Sequence, residues 1–173
     1  NDINNQRVIN AGFFAQEVIA WRDILFLTGG VRVDGNSAFG KSFGLQTYPK
    51  ISASYVISDE SFWPRQWVPS LKLRAAVGSS GKAPGAFDAV RTWDPVAAEN
   101  GKPAFAPNQL GNPDLGPEKS RELELGFDLA ALDGRVNLAV THFSQQTQDA
   151  LIPVIQAPSL GFSSSQLVNV GEL

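Results

Sequence analysis

Apolar and polar residues alternate along most of the chain with a period of two. Between residues 24 and 34, Leu25, Leu27, Gly29, Val31 and Val33 share one parity, while Thr28, Gly30, Arg32 and Asp34 take the other after Ile24 and Phe26. Leu71, Leu73, Ala75 and Val77 alternate in the same way with Lys72, Arg74, Ala76 and Gly78. Leu123, Leu125, Phe127 and Leu129 alternate with Glu122, Glu124, Gly126 and Asp128, and Val136, Leu138 and Val140 with Asn137, Ala139 and Thr141. Successive residues of a strand point to opposite faces, so each segment predicts a strand with one apolar and one polar face. Residues 48–57 place Ile51, Ala53, Tyr55 and Ile57 opposite Lys50, Ser52 and Ser54. Residues 8–21 are apolar on both parities and offer a helix on Phe14, Val18 and Trp21 as the alternative. The tight Trp21-Arg22-Asp23 turn straight into the next strand favours a strand there too. The predicted set is 8–21, 24–34, 47–57, 69–79, 118–131, 134–147 and 165–173, all antiparallel in one curved sheet with sequential neighbours paired.

The connections alternate in length. Residues 22–23 and the Leu132-Asp133-Gly134 hairpin turn are tight, 58–69 is intermediate, and 34–46, 80–117 and 146–164 are long. Short turns on one side and long loops on the other suit an outer-membrane barrel, with most strands near the ~9–11 residues that cross a bilayer at a tilt. A loop as long as 80–117 is rare in a compact domain unless it is functional. Antiparallel soluble sandwiches alternate as well, and periodicity alone leaves both architectures open. The polar faces, with Lys72, Arg74, Glu122, Glu124 and Asp128, suit a wet lumen and open solvent equally.

Composition narrows the function more than the fold. A chain of 173 residues, 43% hydrophobic and 18% charged, fits one folded domain rather than a disordered segment. A formal net charge of −3 supplies no basic field for nucleic acid. With no Cys and a single His, thiol catalysis, disulfides, Cys-ligated metal and multi-His metal sites are excluded. The absence of Met leads to the expectation that the chain is processed, trimmed or one part of a longer protein. The first residues lack the basic-then-apolar order of a signal peptide, and no run approaches the ~18 apolar residues of a transmembrane helix.

No catalytic constellation, cofactor motif or metal site stands out. His142 shares the parity of Val140 and reads as an amphipathic side chain near a membrane rim. The string GSSGKA at 78–83 lacks the first Gly and the Ser/Thr of a phosphate-binding loop, and no helix pattern follows it. Glu122 and Glu124 lie about 7 Å apart on one strand face. A glycosidase pair needs an opposing wall, so lumen lining is the simpler role. The candidate ligand-binding residues are Phe87, Trp93 and Phe105 in the longest loop, where aromatics among Gly, Pro, Asn and Asp suit sugar rings or peptide side chains. Packing of the loop against itself or a neighbour is the competing role for each.

Several strings resemble the SusC/RagA-type TonB-dependent outer-membrane receptors. Arg32, Asp34, Gly35, Ser37, Phe39 and Gly40, then Pro49, Ser52 and Tyr55, then Ile57, Ser58, Glu60 and Phe62 follow that family's signature in order. LKLRAAVGSSGKAPGAFDA from Leu71 is similar to its Leu-Lys-Leu-Arg run, with Lys82 where Asn is usual. NPDLGPEKSRELELGFDLAALDGRVNLAVTHFSQQTQDAL resembles its Asn-Pro-x-Leu-x-x-Glu segment, continuing through Glu124-x-Gly126-x-Asp128 to Thr147-x-Asp149-x-Leu151, and LVNVGEL its next strand. The matches run from about Gly12 to Leu173. The resemblance implies an all-β fold, with antiparallel strands forming part of the wall of a large, 22-stranded type outer-membrane β-barrel. Residues 1–173 would be an internal slice of about seven strands, with neither plug nor TonB box visible. Leu25, Leu27, Val31, Leu71, Leu73, Val77, Leu125, Phe127, Val136, Leu138 and Val140 would face lipid. Arg32, Lys72, Arg74, Glu122, Glu124 and Asp128 would face the lumen. Trp21, Phe62, Trp63 and Trp67 would form an interfacial girdle at the periplasmic end. The implied function is import of a glycan or peptide nutrient across the bacterial outer membrane. A SusD-like lipoprotein and TonB would be engaged through parts of the receptor outside this chain. The alternatives are a receptor-like barrel serving as a structural or interaction component of a surface assembly, and a soluble β-sandwich binding module.

Overall fold

A computed structural model describes residues 7–39, 44–132, 134–162 and 164–172. Its strands are β1 (Asn10–Trp21), β2 (Leu25–Asn36), β3 (Gln46–Val56), β4 (Ser70–Lys82), β5 (Thr92–Ala97), β6 (Pro103–Gln109), β7 (Glu118–Ala131), β8 (Val136–Val154) and β9 (Gln166–Glu172). Seven form one sheet in the order β1-β2-β3-β4-β7-β8-β9, every pair antiparallel, and β5 and β6 form a separate hairpin. Among the described residues the only helical pieces are three short 3-10 turns. Each predicted strand is present, including β1, where paired backbone overrides the helix alternative.

Three differences have physical causes. β4 runs on to Lys82 and β8 to Val154, because residues 79–82 pair with 118–121 and residues 148–154 pair with β9. Alternation fades there: residues 79–82 are small or polar on both parities and residues 150–154 apolar on both, and backbone pairing rather than periodicity sets the strand ends. The loop at 80–117 holds the β5–β6 hairpin. Pro95, Pro103 and Pro107 read as strand breakers, yet a two-stranded ribbon has only edges, where a missing N–H is tolerated. At the Trp21–Ile24 turn, Arg22 and Asp23 both have positive φ (56° and 58°), and Ile24 N–H donates to Trp21 O at 3.1 Å. Two left-handed central residues give the twist that a tight hairpin requires. Gly40 of the first motif, Asp133 of the second tight turn and Leu173 at the end of the last strand lie outside the described residues.

The register decides which side chains share a face, because residues directly opposite one another point the same way. Val31 opposes Pro49, Ile51 opposes Val77, Tyr55 opposes Leu73, and Leu73 opposes Phe127. Phe127 then opposes Val140, and Leu129 opposes Leu138. One mainly apolar face therefore runs from β1 to β8, interrupted by Glu17 opposite Gly29, His142 opposite Leu125 and Ser144 opposite Leu123. The opposite face collects Arg32, Lys72, Arg74, Glu122, Glu124, Asp128 and Asn137. It is interrupted by Phe14, Val18, Phe26 and Phe143, which share its parity.

Almost nothing on the apolar face is covered. The buried apolar residues among those described include Ile24, Ala38, Leu115, Pro117 and Ala150. Leu73, Leu125 and Leu138 are 41%, 47% and 49% exposed. A sandwich of this length would bury one face of most strands against a second layer. This is a single layer, with its backbone satisfied sideways and its apolar face open.

Candidate functional site

The polar face is built around Arg74. From β4 its Nη2 donates to Asp128 Oδ1 on β7 (3.0 Å) and to Thr141 Oγ1 on β8 (3.2 Å), while Nε lies 3.0 Å from Asp128 Oδ2. Arg74 can reach across β7 because the residue opposite it is Gly126. A Cβ there would stand 3.2 Å from Arg74 Nη2 and 2.7 Å from Val140 O. The Glu124-x-Gly126-x-Asp128 string thus consists of an acid, a gap and the acid that anchors the arginine. Arg32 Nε donates to both carboxylate oxygens of Asp34 at 2.7–2.8 Å. Lys72 sits opposite Asp128. Glu124 and Glu122 oppose Ala76 and Gly78. These small partners leave room for a cavity of about 380 Å³ lined by the two acids with Thr28, Lys50 and Ser52. All six residues predicted to face the lumen lie on this one face. The GSSGKA string is the end of β4, and Gly81 is the bare backbone over which the Tyr48 ring lies.

At the short-turn end, the Ile57-Ser58-x-Glu60-x-Phe62 part of the first motif closes the connection between β3 and β4. Tyr55 Oη donates to Glu60 Oε1 (2.9 Å), and Arg65 Nε to Ser58 O (2.8 Å), with Ser58 buried. Trp63 Nε1 donates to Val68 O at 2.8 Å. Trp21 carries the Arg22 guanidinium 5.4 Å from its ring centroid. Trp21, Phe62 and Trp67 are exposed at this end.

At the opposite end the longest loop is stitched to the β8–β9 region. Asn169 Oδ1 accepts from Gly116 N–H (2.7 Å), and its Nδ2 donates to Gly116 O (3.0 Å) and to Asp149 O (2.9 Å). Asn112 Nδ2 donates to Leu167 O (3.1 Å), and Leu151 N–H to Glu118 Oε2 (3.3 Å). Leu115 and Pro117 are fully buried beneath this seam. Asp149 has a positive φ of 56°, the one such residue inside β8. Three strings that are far apart in sequence, Asn112–Glu118, Thr147–Leu151 and Asn169-Val170-Gly171, are therefore one hydrogen-bonded clasp. Sequence reasoning noted each string but gave Asn112, Glu118 and Asn169 no role.

Of the loop aromatics, Trp93 and Phe105 share one face of the hairpin, since Trp93 opposes Pro107 and Phe105 opposes Pro95. Phe105 is 72% exposed, whereas Trp93 packs edge-on against Phe162 of the next loop with ring centroids 5.6 Å apart. Phe87 stands apart in the turn before the hairpin, half exposed. Among the described residues, no cluster of His and acidic side chains could hold a metal ion.

With this geometry in place, comparison with known proteins is decisive. The family described as TonB dependent receptor-like, beta-barrel matches residues 1–173. The chain belongs to that family. It is 33% identical over 149 residues to TonB-dependent receptor P39 of Formosa agariphila, covering 85% of this chain and 14% of that one. It is 32% identical over 170 residues to receptor P26 of the same organism, covering 94% of this chain and 17% of that one. The chain therefore spans about one-sixth of the length of these relatives. In fold it is similar to the RagAB peptide transporter, with a TM-score of 0.87 at 23% identity over 95% of this chain and 18% of that one. TonB-dependent receptor barrels reside in the bacterial outer membrane, and the family consists of transporters rather than enzymes.

Proposed function

We propose that this chain is a stretch of barrel wall, without plug or TonB box, in a TonB-energised importer of glycan or peptide nutrients. Its apolar face meets lipid, and Arg32, Lys72, Arg74, Glu122, Glu124 and Asp128 line the lumen. The observation that carries this reading is the apolar face kept in register across the sheet with no protein covering it. A solvated surface has no reason to keep so many aliphatic side chains on one parity. Similarity to a protein described as a peptide transporter supports peptide as the cargo. Phe105 and Trp93 on the loop hairpin are the residues offered to it. A SusD-like lipoprotein at the loop side and TonB at the turn side complete the importer through segments beyond this chain.

Single cysteines in an otherwise cysteine-free full-length receptor in liposomes test the faces. A membrane-impermeant thiol reagent reacts at Arg74→Cys and Glu124→Cys and not at Leu73→Cys or Leu125→Cys. The reverse pattern overturns the assignment of faces. Import is tested by uptake of labelled oligopeptides and oligosaccharides. Uptake that persists unchanged in a TonB-deficient strain overturns the TonB-energised reading, and absence of uptake for every probe points instead to a structural component of a surface assembly.

A further inference from the structure

The pairing of β3 with β4 stops short of the long loops. It runs from Val56 opposite Lys72 up to Lys50 opposite Gly78 and goes no further. Both strands continue, each with its other neighbour. Residues 46–49 stay paired with β2 as far as Gln46 opposite Asp34, and residues 79–82 stay paired with β7 as far as Lys82 opposite Glu118. The sheet therefore forks, and each arm of the fork is a local edge. Pro49 stands at the first row of the opening. A proline lacks the N–H that a central strand donates and is tolerated at an edge, so the fork is where β3 can carry one.

The opening passes between the strands rather than lying on one face. A cavity of about 310 Å³ at this place is lined by Gln46, Tyr48, Ser80 and Ser120 on the lumen parity and by Thr47, Ser79 and four polar residues of β7 and β8 on the outward one. A hollow resting on one face of a paired sheet takes its side chains mainly from one parity. The last outward row with an aliphatic side chain on both strands is Ile51 with Val77, just below the fork. Free backbone edges are not tolerated in hydrocarbon but can be hydrated beyond it. Each side of the fork is tied within itself up to the rim. Ser37 N–H donates to Ile9 O, and Ile9 N–H donates to Ser37 Oγ, both at 3.0 Å, closing β1 on β2. On the other side, Asn112 and Asn169 fasten the loop after β4 to β8 and β9. Across the fork the two sides meet in a side-chain contact: the Tyr48 ring lies so close to Gly81 that a Cβ there would run into its hydroxyl.

We infer that the outer rim hinges at this fork. The loop-side ends of β4, β7, β8 and β9 move as one clasped body against those of β1–β3, and the Tyr48 ring on Gly81 is the stop that sets the width. Motion of this kind belongs where few backbone hydrogen bonds have to break. Below the fork the ladder from Lys50–Gly78 to Val56–Lys72 keeps the wall closed. The moving side carries the β5–β6 hairpin with Trp93 and Phe105, so the hinge changes how far these aromatics stand from the Arg32–Asp34 side of the rim. This inference rests on the reading of the chain as barrel wall.

The test uses the full-length receptor, otherwise cysteine-free, in lipid nanodiscs with nitroxides at Leu45→Cys and Ile155→Cys, exposed positions on opposite sides of the fork. The distance between them is read by double electron–electron resonance. Gly81→Val should drive the Tyr48 ring back and lengthen the mean distance by a few Å; Gly81→Ala, with the smallest Cβ, replaces it if that variant does not assemble. Adding Tyr48→Ala should undo the shift and broaden the distribution. A distribution that none of these substitutions moves overturns the hinge. Amide exchange in the unlabelled receptor separates the two readings. Exchange at 46–49 and 79–82 should be about tenfold or more faster than at 50–56 and 72–78. Equal, strong protection of all four segments overturns the hinge and leaves the barrel wall standing. Fast exchange at 50–56 and 72–78 as well means that these strands are not barrel wall.

Discussion

At the scale of single residues, position on the sheet matters more than the number of contacts. The Arg74–Asp128 pair is well formed, but its side chains are 36% and 42% exposed, so water screens it. Removing either partner should cost at most about 1 kcal/mol, and a double-mutant cycle with Arg74→Ala and Asp128→Ala should return a coupling no larger than that. Leu125 makes no polar contact, yet Leu125→Arg should cost about 2–4 kcal/mol, because the charge would sit in hydrocarbon. Glu124→Arg, one residue away on the wet face, should cost less than about 1 kcal/mol. Denaturant unfolding of the full-length receptor refolded into lipid vesicles measures all four. Similar costs for Leu125→Arg and Glu124→Arg would mean that both faces are wet.

At the scale of elements, the clasp makes the long loop part of the wall. Asn169 satisfies both backbone groups of Gly116 and the turned-out carbonyl of Asp149, three hydrogen bonds from one amide. Asn169→Ala leaves those groups unpaired beside buried Leu115, at a cost of about 1–3 kcal/mol for the worst of them. The expected result is local: protease cleavage within 83–117 should accelerate, and amide exchange should rise at 112–118 and 166–170, while β2–β4 keep their protection. Gly111 adds a second handle. Its φ is +69°, and a Cβ there would run into the Val90 backbone. Gly111→Ala should loosen the same loop with no change at the turn end. If either substitution left loop exchange unaltered, the seam would not be what orders the loop.

At the scale of the whole molecule, the sheet lacks what an autonomous domain needs. β1 and β9 are open edges, and the apolar face has no second layer. Each Val, Leu, Ile or Phe held in water on that face forgoes about 1.5–3 kcal/mol of burial. Residues 1–173 expressed alone should therefore aggregate in detergent-free buffer and show no cooperative melt by circular dichroism. A soluble monomer with a sharp transition would contradict the barrel-wall reading outright.

The strands, their order and the partition of side chains into two faces were legible in the sequence. Alternation is a local property, and one layer of sequentially paired strands uses little else. Parity alone assigned Val31, Leu73, Leu125 and Leu138 to one face and Arg32, Arg74, Glu124 and Asn137 to the other. Alternation could not tell a solvated sheet from a lipid-facing one, because both show one apolar parity; the missing second layer is a fact of tertiary structure. Nor could it reveal the β5–β6 hairpin, whose prolines mimic a loop, or the extensions of β4 and β8, whose pairing depends on partners distant in sequence. The same limit hid why the motif residues stand where they do. Gly126 is a gap only relative to Arg74 on another strand, and Asn169 is a clasp only when Gly116 has been folded back onto it. Periodicity follows from the geometry of one strand, whereas gaps and clasps exist only once register has set strands side by side.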